Sequence, residues 1–215
     1  SNSQRRGTVS FGLCGGLTNQ RMSLIHGLLI AYVTNRIAIL PKPTQVSSND
    51  QMVQLHDLID VEYLISSLKG VVEVVRNDKF FPTDTINRLD NNKKRRKPSE
   101  LRQFEDKHID MECAFNMIAA TDVDIVPYFW KFDRSIRFNV QTRNLVQNVT
   151  TRIGAEYGYT ALHFRIEDDW VHHCSIWEDI KNDGVIRDNC MMHTDVIANV
   201  FAIARIPTNR PLYVA

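Results

Sequence analysis

Residues 8–41 read TVSFGLCGGLTNQRMSLIHGLLIAYVTNRIAILP. In Thr8 to Leu13 the apolar residues Val9, Phe11 and Leu13 alternate with small ones, the period-two signature of a strand. From Met22 to Arg36 the spacing changes: Met22, Ile25, Leu28, Leu29, Tyr32 and Val33 recur at helical intervals and predict a wide buried stripe. Ile37 to Leu40 is again a short apolar strand, closed by Pro41. Strand, glycine turn, helix and strand in so short a span form a βαβ unit, so the class is α/β with a parallel sheet.

Working outward, VVEVV (71–75) reads as another strand, and DNNKKRRK (90–97) as a polar loop stopped by Pro98. Ser99 is placed to cap a helix that begins at Glu100-Leu101 and runs toward Ala120. The aromatic stretch 125–132 is expected to be strand plus loop. Residues 141–157 carry Leu145, Val149 and Ile153 at helical spacing, with Gly158 as the stop. TALHFRI (160–166) predicts a strand, 191–206 a helix and PLYVA (211–215) a further strand. One domain over 1–155 and the opening of a second over 156–215 are expected, and the chain reads as cut off inside its last strand.

Composition narrows the classes. The 215 residues are 43% hydrophobic and 24% charged, enough apolar material for a real core. A net charge of +1 gives no global pull toward nucleic acid or an anionic membrane. No apolar run approaches the roughly 20 residues of a membrane span, so no membrane contact is expected from this segment. Cys14, Cys113, Cys174 and Cys190 are too few for a disulfide-built scaffold but enough for one or two staples in an oxidising lumen. Asn148-Val149-Thr150 is a glycosylation sequon that matters if the chain is secretory.

Two segments carry residues suited to chemistry. Gly15 and Gly16 in a strand-to-helix turn let backbone approach an anion, and the helix start adds unpaired N–H groups and a positive dipole end. Asn19 and Gln20 supply amides, and Arg21 a guanidinium fork for phosphate or carboxylate. The structural alternative is a glycine turn with polar capping residues. No Gly-Lys-Ser/Thr follows, so it is no Walker loop, and it is not GxGxxG. In the second segment, ALHFRIEDDWVHHC (161–174), Leu162, Phe164 and Ile166 face one side of a strand and His163 and Arg165 the other. Arg165 is suited to a bidentate grip on phosphate; the alternative is a solvated charged face.

Taken together, CGGLTNQRMSLIHGLLIAYVTNRIAILP (14–41), ALHFRIEDDWVHHC and RPLYVA (210–215) resemble the GDP-fucose protein O-fucosyltransferases and their plant-type relatives. The first matches that family's glycine motif, Gly-Gly-x-x-Asn-Gln ahead of a helix. The second matches its His-Leu-Arg motif, with the Asp-Trp and Cys of the branch that acts on EGF-like repeats. The third matches its next strand.

The resemblance implies a Rossmann-like fold of the GT-B type and transfer of fucose from GDP-fucose to a protein or glycan hydroxyl, with inversion and without a metal. It implies that Arg165 stabilises the β-phosphate of the leaving GDP, and that Asn19 and His163 contact nucleotide or fucose while Gly15 and Gly16 permit close approach. One related branch carries a glutamate as general base in the glycine motif, where this chain has Gly16. The family's later guanine- and phosphate-holding stretch lies beyond the last strand. Two alternatives follow: a truncated, catalytically silent relative acting as a binding module, and a GT-B transferase for another nucleotide sugar. An ER or Golgi lumen is expected if the chain is secretory. There the resemblance implies a Cys174–Cys190 disulfide, with free buried thiols as an alternative.

Other constellations are weaker. Asp122-Val123-Asp124 is a DxD, the metal-nucleotide signature of the other glycosyltransferase fold, but abuts an apolar run. His172, His173, Cys174, Cys190 and His193 include Cys190-x-x-His193 at zinc-ligand spacing. KKRRK (93–97) lacks interleaved aromatics and reads as a solvated loop, not a nucleic-acid site. Trp130, Trp170 and Trp177 are expected in the core or a cleft wall, and no GxSxG elbow is present.

Overall fold

The structure is a computed structural model that describes residues 7–41, 44–45, 52–53, 55–77, 86–89, 95–119, 123–155, 158–162, 194–207 and 209–214. It divides into two compact units, Ser1–Arg143 and Asn144–Ala215.

The first unit opens with β1 (Thr8–Phe11), α1 (Leu17–Val33) and β2 (Ile37–Ile39). The chain continues through β3 (Thr44–Gln45), β4 (Met52–Val53), α2 (Leu55–Leu58), α3 (Val61–Ser67), β5 (Val74–Val75), β6 (Ile86–Leu89), α4 (Pro98–Leu101), β7 (His108–Met111) and α5 (Val126–Ser135). A five-stranded sheet in the order β5-β2-β1-β7-β6 forms its spine. Every pairing in it is parallel, so all the strands deliver their loops to one edge. β1 sits in the middle, with β2 and β5 on one side and β7 and β6 on the other. The loops after β1 and β7 therefore leave the sheet where the strand order reverses, the usual place for ligands in such sheets.

The expected βαβ unit is present, but α1 begins at Leu17 rather than Met22. The helix thus starts directly behind the glycines. From Gln20 onward it is buried nearly throughout, not on a stripe alone, because it lies between the sheet and α5. Leu24, Ile25, Leu28, Leu29 and Ile30 join Val9, Phe11, Ala38 and Ile109 in one core.

Two expectations are overturned. The helix expected over 99–120 is confined to α4, capped by Lys97, whose N–H donates to the Glu100 carboxylate; Ser99 lies inside it. The rest of that segment holds β7, which pairs with β1 from Thr8↔His108 to Phe11↔Met111. Ile109 and Met111 face the core from β7, and the buried Arg36 grips the carbonyls of Phe104 and Asp106 just ahead of it, both at 2.7 Å. Tertiary pairing decides the conformation here, as is common for a short strand. The stretch expected to be strand plus loop is α5. Tyr128, Phe129 and Phe132 recur at helical spacing and pack on α1, with Tyr128 stacked on Tyr32 at 4.0 Å and Phe132 edge-on to it at 6.2 Å.

The division between units falls inside α6 (Val140–Arg152). Its stop is Gly154, not Gly158: the Ala155 N–H reaches the Thr150 carbonyl and the Gly154 N–H that of Thr151, a Schellman closure. The second unit continues with β8 (Thr160–Leu162), α7 (Thr194–Ile203) and β9 (Leu212–Val214). β8 and β9, both at positions read as strands, pair in parallel, Thr160↔Leu212 to Leu162↔Val214. Among the described residues no helix is long and apolar enough to cross a membrane.

Candidate functional site

The glycine turn leaves β1 at the carboxyl edge of the sheet. Its start is pinned to β7: Gly12 N–H donates to the Met111 carbonyl at 2.8 Å and Gly12 C=O accepts from Ala114 at 3.2 Å. A Cβ on Gly12 would stand 1.9 Å from the Glu112 carbonyl oxygen, so only glycine lets these two loops meet. Gly15 has φ +70°, and a Cβ there would lie 2.9 Å from the Asn19 amide nitrogen. Gly16 is the N-cap of α1, with extended backbone, no side-chain cap and no acidic residue in the first turn.

Gly15 through Asn19 are exposed. The first amides of a helix have no carbonyl of their own turn to bond. An exposed, uncapped helix start with no acidic residue in its own first turn can accept phosphate or sugar oxygens. The structure thus brings Gly15, Gly16 and Asn19 together in one turn.

Gln20 and Arg21 do something else. Gln20 is buried and its side-chain amide donates to the Gly15 carbonyl at 2.9 Å, supporting the turn from beneath. Arg21 points along α5: its Nε donates to Asp133 Oδ1 at 2.9 Å, Nη1 to the Ile136 carbonyl at 2.9 Å and Nη2 to the Asp133 carbonyl at 2.7 Å. The fork read as suited to phosphate or carboxylate holds a carboxylate of this chain and a helix end. Its partner lies 112 residues away, beyond the reach of a motif.

Cys14 is disulfide-bonded to Cys113, with Cα atoms 5.7 Å apart. The bond joins the turn after β1 to the loop after β7. Sequence reasoning missed it because Cys113 was assigned to a helix; reading Ile109 and Met111 as a strand beside β1 would have placed the two cysteines at one sheet edge. The cysteines of the implied pair, Cys174 and Cys190, lie outside the described residues.

Behind the turn, β1 and β7 share a polar ladder. His108 is bonded through Nδ1 to Thr8 Oγ1 at 2.7 Å and through Nε2 to Ser10 Oγ at 2.9 Å, and the Ser10 hydroxyl also donates to Asp110. The Asp110 carboxylate contacts Ser10, not His108, so this is no relay for a serine nucleophile. Burial lowers the His108 pKa, with Arg36 acting in the same direction and Asp110 against it. His26, buried in α1, is lowered to about 4, chiefly by burial and secondarily by Arg95, against a bond to the Ala114 backbone. It is neutral at neutral pH.

His163 and Arg165 follow β8 directly in the sequence and lie outside the described residues, as do Asp122, His172, His173, His193, Trp170 and Trp177. Among the described residues no three His, Cys, Asp or Glu side chains converge as a metal site would require. Trp130 is 54% exposed on α5, so it is not a core residue.

The profile of the GDP-fucose protein O-fucosyltransferase family matches residues 11–189. The fold is similar to that of POFUT1 in complex with GDP-fucose, with a TM-score of 0.67 at 13% identity, over 98% of this chain and 78% of that one. It is similar also to POFUT1 in complex with GDP (TM-score 0.63, 13% identity, 99% of this chain and 78% of that one). The POFUT1 apo-form gives a TM-score of 0.63 at 12% identity, over 100% of this chain and 80% of that one. No curated protein matches the chain at the sequence level.

Proposed function

The chain belongs to the GDP-fucose protein O-fucosyltransferase family, and on that premise we propose that it moves fucose from GDP-fucose to a hydroxyl of a protein Ser or Thr, with inversion and without a metal. The observation that carries this reading is the exposed, uncapped start of α1 behind Gly15 and Gly16, at the carboxyl edge beside β7. Acceptor oxygen attacks the anomeric carbon opposite the nucleotide. The bond from that carbon to the β-phosphate oxygen breaks, and its electron pair leaves with GDP. The acceptor proton goes to a base or to the departing phosphate.

In this reading the first amides of α1 and the Asn19 side chain hold donor oxygens. Arg165 neutralises charge developing on the β-phosphate, with His163 on nucleotide or fucose, as their motif implies. Stabilisation of this kind is worth about 10²–10³ in rate per donor. A lumenal, oxidising compartment is supported by the Cys14–Cys113 disulfide and by the exposed sequon at Asn148 on α6.

The test is turnover of GDP-fucose on peptide and folded protein acceptors, with and without EDTA. Arg165→Ala is expected to lower kcat by about 10²–10³, and EDTA to leave the rate unchanged. Normal turnover by Arg165→Ala removes its role; UDP competing as well as GDP points to another nucleotide sugar; GDP binding without turnover favours a silent binding module. Secretory expression is expected to yield an endoglycosidase-sensitive mass that Asn148→Gln abolishes, and an unshifted wild type argues against the lumen.

A further inference from the structure

We propose that the Cys14–Cys113 disulfide is a positioning element for the donor: it clamps the glycine turn onto the loop after β7, and its loss lowers nucleotide affinity while the domain stays folded. This rests on the reading of the turn as the donor cradle.

The two strands do not need the bond in order to pair. Parallel register runs from Thr8↔His108 to Phe11↔Met111, and backbone bonds continue it to Gly12 and Ala114. The core cluster includes neither cysteine, with Val9, Leu24, Leu28, Leu29 and Ile109 all at 0–1% exposure. Beyond Gly12 the situation changes. Leu13 to Gly16 must leave the sheet, pass a left-handed Gly15 and deliver the N-cap of α1.

Among the described residues that passage is held by the Gln20 amide on the Gly15 carbonyl and by the disulfide at Cys14, with the Cys14 sulfur also 3.7 Å from the Ser23 hydroxyl. Cys14 immediately precedes the exposed stretch 15–19, and Cys113 is itself buried at 8% exposure, a fixed anchor at the top of β7. Without the bond the turn samples other paths, and its amides must be ordered again each time a nucleotide binds. That ordering cost appears in affinity, not in the chemical step.

The comparison is made on the Cys14→Ser/Cys113→Ser double variant, which leaves Cys174 and Cys190 untouched. Leu64→Ala, a fully buried site in α3, serves as a stability-matched control. GDP affinity by calorimetry, thermal midpoint, and KM for GDP-fucose against kcat are read on all three proteins. Expected are a roughly tenfold weaker GDP affinity and a matching rise in donor KM, with kcat at saturating donor held, as for a loop that must be reordered on binding. Leu64→Ala is expected to lose midpoint and keep affinity.

If the double variant does not fold, phosphine reduction of the folded Cys174→Ser/Cys190→Ser protein, which keeps only Cys14 and Cys113, gives the same comparison. The phosphine passes two electrons to the S–S bond and becomes its oxide, with water supplying the oxygen and the two thiol protons. Wild-type affinity in the variant or the reduced protein, or an affinity loss that tracks midpoint equally in Leu64→Ala, overturns the inference alone. A disulfide-intact wild type that binds no GDP overturns the donor-cradle reading and this inference with it.

Discussion

Replacing Arg21 with Met separates a structural arginine from a phosphate ligand. Met keeps the length of the stem and removes the guanidinium. Three attachments are lost: the ion pair to Asp133, the bond to the Ile136 carbonyl and the bond to the Asp133 carbonyl. They are not equal. Arg21 and Asp133 side chains are 37% and 29% exposed, so the pair is solvent-screened and contributes about 0.5 kcal/mol. The Asp133 carbonyl keeps the Ile136 N–H at 3.2 Å, so its loss is small. The Ile136 carbonyl belongs to a residue at 5% exposure, and leaving it without its donor costs about 1–2 kcal/mol.

The sum is about 2 kcal/mol, or roughly 4–8 °C of thermal midpoint for a chain of this size. Differential calorimetry and urea unfolding measure it, and GDP titration runs alongside. The expected result is a lowered midpoint with unchanged GDP affinity, and only the small ion-pair part sensitive to salt. An unchanged midpoint with a tenfold loss of GDP affinity refutes the assignment and returns Arg21 to the donor site.

Gly15→Ala is expected to cost about 1–2 kcal/mol, since φ is +70° and the new methyl meets Asn19, whereas Gly16→Ala, with nothing within 4 Å, should stay within about 0.5 kcal/mol; equal unfolding midpoints would contradict the turn geometry. Ile109→Ala, at 0% exposure in β7, should cost about 2–5 kcal/mol, and the residue 109 amide should exchange only on global unfolding; fast exchange there would disprove the central strand. His26 has a folded pKa of about 4 against 6.5, so the unfolded chain takes up its proton first. Stability is full above about pH 6.5 and falls as pH drops toward 4, by about 2 kcal/mol at pH 5. His26→Gln should flatten that slope without abolishing it, since the lowered pKa of His108 contributes with the same sign; an unchanged slope would rule His26 out as its main source.

The sequence by itself determined what is local. Alternation and helical spacing over 8–41 give β1, α1 and β2, because both periods follow from the geometry of a single element. The same reasoning places β8, α7 and β9, and the turn between strand and helix is legible at Gly15 because only glycine freely supplies a φ of +70°. The tertiary structure decided whatever depends on a partner far along the chain. His108–Met111 is too short for its pattern to outweigh a helix reading, and becomes a strand because β1 and β6 offer it ladders on both sides. Tyr128, Phe129 and Phe132 are aromatic in either conformation, and it is the surface of α1 that selects the helix. Arg21 and Gln20 look alike as polar followers of a glycine motif. Their roles differ because Asp133, 112 residues on, meets one, while the turn's own carbonyl, five residues back, meets the other. Cys14 finds Cys113 only after the parallel sheet has set their loops side by side, and residue spacing carries no record of that neighbour.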